Sequence, residues 1–316
     1  MNKRKFSLYL LGVSLLVWVI ARSDTEALLD TLSSLNPLHV AMLIALQGAS
    51  MALIALQWMM IGRHMGIGVP YKMLLSMNMA GTFIESVTPA VKHGGEAAKV
   101  FYLKARGMPA SDATAIMVAQ KTLSMLYFTT LFAMCGTLLL LSHRVRIAFT
   151  LTPPLWGGIL GGLGAVLIFY WLLRHKVTTK GAGAIVTFIR QSATRLRPLA
   201  SRRHWHIFHT VLGLCIWGMY GMKVLMLFWV FSIDLSWVWA FVSTFSAYIV
   251  GMLPITPGGV GTFEGTFTQV MGAGGIQASQ ALSVVLTLRI VTFWFSLALS
   301  ALWLLFNTRN KEVFND

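Results

Sequence analysis

The sequence predicts an all-α polytopic membrane protein: about six transmembrane helices plus two re-entrant half-helix hairpins arranged as an inverted repeat. Composition supplies the first reason. Of 316 residues, 56% are apolar and only 11% charged, more hydrocarbon than a soluble core needs. Several apolar runs exceed the roughly 18 residues that mark a spanning helix. The second reason is a pair of apolar segments, each broken near its middle by Thr-Pro and glycines. The third is that these two segments are copies of each other.

Full spans are expected at 6–21, 38–62, 112–141, 154–173, 207–231 and 277–306. Lys3, Arg4 and Lys5 precede the first run, Phe6 to Ala21, which resembles a signal peptide. No small-x-small cleavage site follows, so it is read as a retained span with its basic end in the cytoplasm. Segments 71–106 and 238–273 are about 35 residues long, long for one span and about right for a hairpin that enters and leaves on one side. Single broken spans would instead make the two copies parallel. Broken backbone at membrane depth is tolerated only when buried in protein or lining a polar cavity.

The charge distribution orients this layout. With the N-terminus inside, only Arg22, Arg144 and Arg146 fall outside, and Lys121, Lys223 and Arg289 fall within spans, leaving 19 of the 25 Lys and Arg residues cytoplasmic. That asymmetry places both termini in the cytoplasm of a cell (inner) membrane protein. The formal charge of +15 is carried by loops, where it meets anionic head groups. With no zinc-finger spacing and no soluble basic helix, nucleic acid is not an expected partner. Residues 1–316 thus form a single integral membrane domain, with a first repeat at 38–141 and a second at 207–306. Between them, 174–206 reads as a cytoplasmic interfacial helix, because Ile185, Phe188, Ile189, Leu196 and Leu199 recur at helical spacing among arginines.

Sliding the sequence by 168 residues lays Thr88-Pro89 on Thr256-Pro257, Glu96 on Glu264, Gly107 on Gly275, Ala110-Ser111 on Ala278-Ser279, and Lys121 on Arg289. The shared ungapped offset marks a duplication. Three crossings separate the start of one copy from the start of the other, and an odd number inverts them. Inverted repeats with broken helices meeting near the midplane are an architecture of secondary transporters.

The candidate site follows from this geometry. Thr88 and Pro89 in one copy, and Thr256, Pro257, Gly258, Gly259 and Gly261 in the other, are the hairpin tips or hinges. Glu96 and Glu264 sit near the third position of the helices that follow. There they either cap the helix and complement its dipole or hold a cationic group. Lys121 and Arg289 lie about ten residues into spans, where a charge costs roughly 2.5–3.5 kcal/mol or more. They either pair with those carboxylates or hold a phosphate. Lys92, His93 and Lys99 make the first tip basic, whereas no cation lies between Trp237 and Leu288. The asymmetry suits an anionic substrate entering from the cytoplasm, with a solvated face as the plainer reading of Lys99. Lys223 matches Ala55 at this offset and is read as idiosyncratic. His204, His206 and His209 read as interfacial residues beside Trp205 rather than metal ligands. No metal, cofactor or catalytic residue is expected: no Ser-His-Asp set, metal motif or phosphate loop stands out.

The stretches "LPITPGGVGTFEG" and "GIQASQALSVVLTLRIVTFW" resemble the signature of the lysylphosphatidylglycerol synthase transmembrane (MprF-type flippase) family. The upstream "TPAVKHGGEAAKVFYLKARGMPASDAT" resembles that family's Thr-Pro…Gly-Glu motif, departing from it at Lys92-His93 and at Gln120 before Lys121. The resemblance implies a membrane domain that moves phospholipid between leaflets. The soluble aminoacyl-transferase domain of that family is not expected here. The expectation is a lipid flippase or transporter, not an enzyme, whose partners are membrane lipids. Homo-oligomerisation and a lipid-synthesising enzyme partner stay open. The alternative is a non-transporting membrane subunit supporting a lipid-modifying or glycosyltransferase enzyme.

Overall fold

The computed structural model describes residues 35–87, 93–141, 203–252 and 257–309, and everything described is helix, turn or connecting loop. The expected spans at 6–21 and 154–173 lie outside these residues, as does the interfacial helix at 174–206 except for 203–206, which begin the helix Arg203–Val230. The helices are α1 (Pro37–His64), α2 (Tyr71–Val87), α3 (His93–Lys104), α4 (Ala110–Leu141), α5 (Arg203–Val230), α6 (Trp237–Gly251), α7 (Thr262–Ala273), α8 (Ala278–Arg289) and α9 (Ser296–Arg309). A 3₁₀ turn, Pro257–Gly259, precedes α7, and a π turn, Ile290–Phe295, joins α8 to α9. Among the described residues, four stretches are long and apolar enough to cross a membrane: Pro37–His64, Ala110–Leu139, Ile207–Val230 and Ala278–Phe306.

Local chemistry explains the helix ends. Asn36 caps α1, its Oδ1 accepting the Leu38 N–H at 2.9 Å, and Pro37 takes the first helical position. α3 ends with Gly107 at φ +86° and the Met108 N–H bonded back to Leu103 O. α7 ends the same way, with Gly275 at φ +89° and Ile276 N–H bonded to Met271 O. Both are left-handed closures that glycine adopts without strain. They recur 168 residues apart, as do the starts of α4 and α8 at 110 and 278. The lead helices keep a different register. α1 closes with Gly66 at φ +76° and α5 with Ser232 at φ +52°, 166 residues apart. The helix bounds therefore align Lys223 with Gln57, polar opposite polar, and not with Ala55 as the ungapped offset implied.

Each interrupted segment is an antiparallel helix pair. In the second, a Cβ on Gly251 at the end of α6 would lie 3.3 Å from Phe263 at the start of α7, and one on Gly274, just past α7, would lie 3.2 Å from Trp239 near the start of α6. In the first, a Cβ on Gly95 would lie 2.9 Å from Gly81 O and Glu85 Cβ. At the opposite end Leu103 and Val100 pack with Leu74 and Met73. The small residue that permits close approach sits on the outgoing arm (Gly95) in one copy and the incoming arm (Gly251) in the other.

The chain forms two compact units, one drawing on 1–47, 79–98 and 221–316 and the other on 48–78 and 99–220. Within the second, Trp58, Ile61, Leu74, Met77, Leu103 and Ile116 make a buried core, crossed by a Gln120-to-Gln57 side-chain hydrogen bond of 3.1 Å. Within the first, Val87, Phe293 and Leu297 pack with Phe83, Val260 and Trp294 beside the Pro257–Gly259 turn.

Candidate functional site

The second tip is built from glycine geometry. Gly258, Gly259 and Gly261 all hold positive φ, at +60°, +68° and +85°. A Cβ on Gly258 would lie 2.2 Å from the Phe293 ring, so only glycine fits both the backbone and the space. Glu264, in the first turn of α7, reaches back, and its Oε2 accepts the Gly261 N–H at 2.7 Å. This satisfies a donor the helix cannot satisfy itself and sets a negative charge on the positive helix end.

Arg289, the last residue of α8, closes the tip from the other side. Its Nη2 donates to Gly258 O at 2.9 Å, and its Nε lies 2.8 Å from Glu264 Oε1. The Nε–H is not aligned along that contact, which is an ion pair rather than a directed hydrogen bond. The guanidinium lies 4.1 Å from the Phe293 ring centroid and 5.3 Å from that of Phe263. Arg289 is 7% exposed, so the charge is desolvated and its compensation comes from the carboxylate, the carbonyl and two ring faces.

The first tip is described only in part. Thr88, Pro89 and Lys92 lie outside the described residues, as does Thr256 in the second copy. His93 opens α3, and Glu96 stands half-buried in its first turn. Lys99 is buried, not on a solvated face as the plainer reading had it: it is 6% exposed, with its Nζ 5.7 Å from the Trp58 ring centroid. The apolar core around α3 leaves that helix no wet side at Lys99. Lys121 is half-buried on α4. Glu264 and Arg289 are the predicted charges whose meeting is described; Glu96 lies in the first compact unit and Lys99 and Lys121 in the second.

A further polar group escaped the sequence reading. Lys223 on α5 is fully buried and donates to Gln47 Oε1 on α1 at 2.5 Å. Gln47 Nε2 donates to the Ser296 hydroxyl at 2.8 Å, and Ser296 O accepts from Ser300 Oγ at 2.6 Å. The available signal was Gln47 itself, an amide within an apolar run. Among the histidines, His209 is 3% exposed, and Trp205 packs between its ring and that of His64. Among the described residues no group of three His, Cys, Asp or Glu side chains is placed to hold a metal.

Long apolar helices, paired shorter helices and a buried arginine braced at the turn between two of them define a polytopic helical membrane protein. The chain belongs to the lysylphosphatidylglycerol synthase TM region family, which matches residues 7–300. It is similar to a UPF0104 membrane protein of Methanothermobacter thermautotrophicus, with 22% identity covering 91% of this chain and 90% of that one. A UPF0104 membrane protein of Methanocaldococcus jannaschii is 23% identical over 87% of this chain and 86% of its own length. One from Pyrococcus horikoshii is 20% identical over 97% and 98%.

Proposed function

We propose that the protein moves a phospholipid, an anionic one in preference, between the leaflets of the cell membrane, with both termini on the cytoplasmic side. The observation that carries this reading is the second tip. A helix break with three left-handed glycines and a desolvated arginine is a costly feature that a purely structural span does not need. Backbone of this kind belongs at membrane depth where it meets protein or a polar path. The repeat supports the reading further. With the sequence-predicted span at 154–173 the two copies are inverted, so the two helix pairs are re-entrant hairpins approaching from opposite faces. Lys92, His93 and Lys99 then give the cytoplasmic hairpin a positive character suited to a phosphate, and Lys121 and Arg289 are the further cations of the proposed substrate-binding set.

One observation favours a second reading. Arg289, Glu264 and Gly258 satisfy one another, as a permanent structural clasp would. In that case the protein is a non-transporting subunit supporting a lipid-modifying or glycosyltransferase enzyme. Reconstitution into liposomes carrying trace fluorescent phosphatidylglycerol or phosphatidylcholine distinguishes the two. Transport predicts protein-dependent loss of leaflet asymmetry, faster for phosphatidylglycerol. It also predicts that neutralising Lys92 and Lys99 together slows the anionic lipid more than the zwitterionic one. No movement of either lipid by folded protein would sink the flippase reading.

A further inference from the structure

Two buried polar groups of the first compact unit stand at opposite ends of one irregular stretch. The π turn Ile290–Phe295 begins just after Arg289, which is tied to Gly258 and Glu264. It ends just before Ser296, whose hydroxyl accepts from Gln47, the amide that also receives Lys223. Within the turn, Phe293 covers the Arg289 guanidinium at 4.1 Å and fills the space beside Gly258. It packs there with Val87 and Leu297.

The fold does not require this turn. The matching stretch of the first copy, 122–127, is uninterrupted helix within Ala110–Leu141. A π turn holds one residue more than α geometry accommodates over the same advance, and such single turns cluster at functional sites. Returning it to α geometry rotates one flank against the other by about 100°. Arg289 and Ser296 cannot both keep their partners through that rotation, so the stretch has two registers with different side-chain connections.

We propose that Ile290–Phe295 is a two-register hinge through which the buried Gln47–Lys223–Ser296 group holds the Arg289-braced tip closed. In the π register both ends are tied. In the α register the rotation is shared between the flanks: Ser296 turns off Gln47 while α8 turns and draws Arg289 away from Gly258 and Glu264. Phe293 leaves Gly258 in the same motion, which frees the tip. Coupling between separate groups needs a physical element with two arrangements, and this turn is that element. The inference does not depend on lipid movement. Its test reads accessibility of the tip, so it can fail while transport stands, or the reverse.

The test uses the full chain in liposomes, with Cys135→Ala and Cys215→Ala, and Val260→Cys as reporter of the tip. Maleimide labelling of this parent should be slow. Gln47→Leu and, separately, Ser296→Ala should each speed labelling about tenfold, the shift expected when one buried hydrogen-bonded anchor is lost. Deleting Thr292 removes the additional residue, leaving both flanks facing as they do now through continuous α-helix. Gln47→Leu added to that deletion should no longer speed labelling. Unchanged labelling in folded Gln47→Leu and Ser296→Ala proteins overturns the proposal, as does an equal increase with and without Thr292. Ser296→Ala removes a single hydroxyl, so if Gln47→Leu or the deletion fails to fold, its labelling rate alone decides.

Discussion

In the second copy the cation on the following helix reaches back to the tip, meeting a carbonyl and a carboxylate there. In the first copy the corresponding cation, Lys121, sits half-buried on an unbroken helix, while Lys99 is buried near the Trp58 ring. The two copies share the left-handed closing glycines at Gly107 and Gly275 and the helix starts at 110 and 278. They part in what surrounds those elements: three left-handed glycines and a π turn in one, a buried lysine and an uninterrupted helix in the other. If the segments arose by duplication, as the shared offset of 168 suggests, what they keep in common is the closing glycine and the start of the next helix. The chemistry diverged, and divergence between copies is what a protein needs if its two ends do different work.

Substitutions can break or sharpen that contrast. The largest effect is expected at Gly258. Gly258→Val demands φ near +60° from a β-branched residue and places atoms inside the Phe293 ring. Backbone strain and overpacking together should cost about 3 kcal/mol or more, read as a drop in unfolding midpoint in detergent. The first copy has Ala90 at the matching position and no such demand is expected there. A Gly258→Val protein as stable as its parent would remove the tip geometry from the account.

Arg289→Ala comes next. It leaves the Glu264 carboxylate beside a desolvated tip, and breaking a buried pair costs roughly 3–5 kcal/mol. Because Glu264 keeps some contact with solvent, the lower end of that range is expected. Arg289→Lys should recover only part, since an ammonium cannot serve Gly258 O and Glu264 with one planar fork. Glu264→Gln should be milder than Arg289→Ala, because the amide oxygen can still accept the Gly261 N–H.

Smaller still is Gln120→Leu in the first copy, which strips Gln57 of a buried amide partner at a cost of about 1–3 kcal/mol. Replacing Gln57 by Leu as well should return part of it, because neither polar group is then left behind. Lys121→Met should cost less than about 1 kcal/mol, because Lys121 is only half-buried where Arg289 is enclosed. Equal losses for Lys121→Met and Arg289→Ala would mean that the two cations serve the same purpose after all.

Much of this fold could be read from the chain alone. Four of the expected spans coincide with described helices, and the Thr-Pro breaks fall where each apolar segment divides into two. The Glu264–Arg289 meeting was open to inference because a charge ten residues into a span must find company, and the repeat pointed to the same carboxylate twice. What stayed hidden depends on shape. Nothing in "RIVTFW" marks a π turn, since the same residue types continue an α-helix at no cost. Lys99 looked like a wet lysine because its burial is set by Trp58, remote in sequence. Lys223 looked idiosyncratic because an ungapped offset of 168 misaligned the lead helices by two residues, hiding its correspondence with Gln57.

The central claim is that the two copies face opposite ways, which single-cysteine labelling in sealed, oriented vesicles tests directly. In the background lacking Cys135 and Cys215, Val91→Cys and Val260→Cys report the two tips to a membrane-impermeant thiol reagent. Wherever the conformations open far enough to react, position 91 should label only from the cytoplasmic face and position 260 only from the opposite face. Labelling of both positions from one face would contradict the account: the repeats would be parallel, the broken segments would be single spans, and the route proposed for the lipid would not exist.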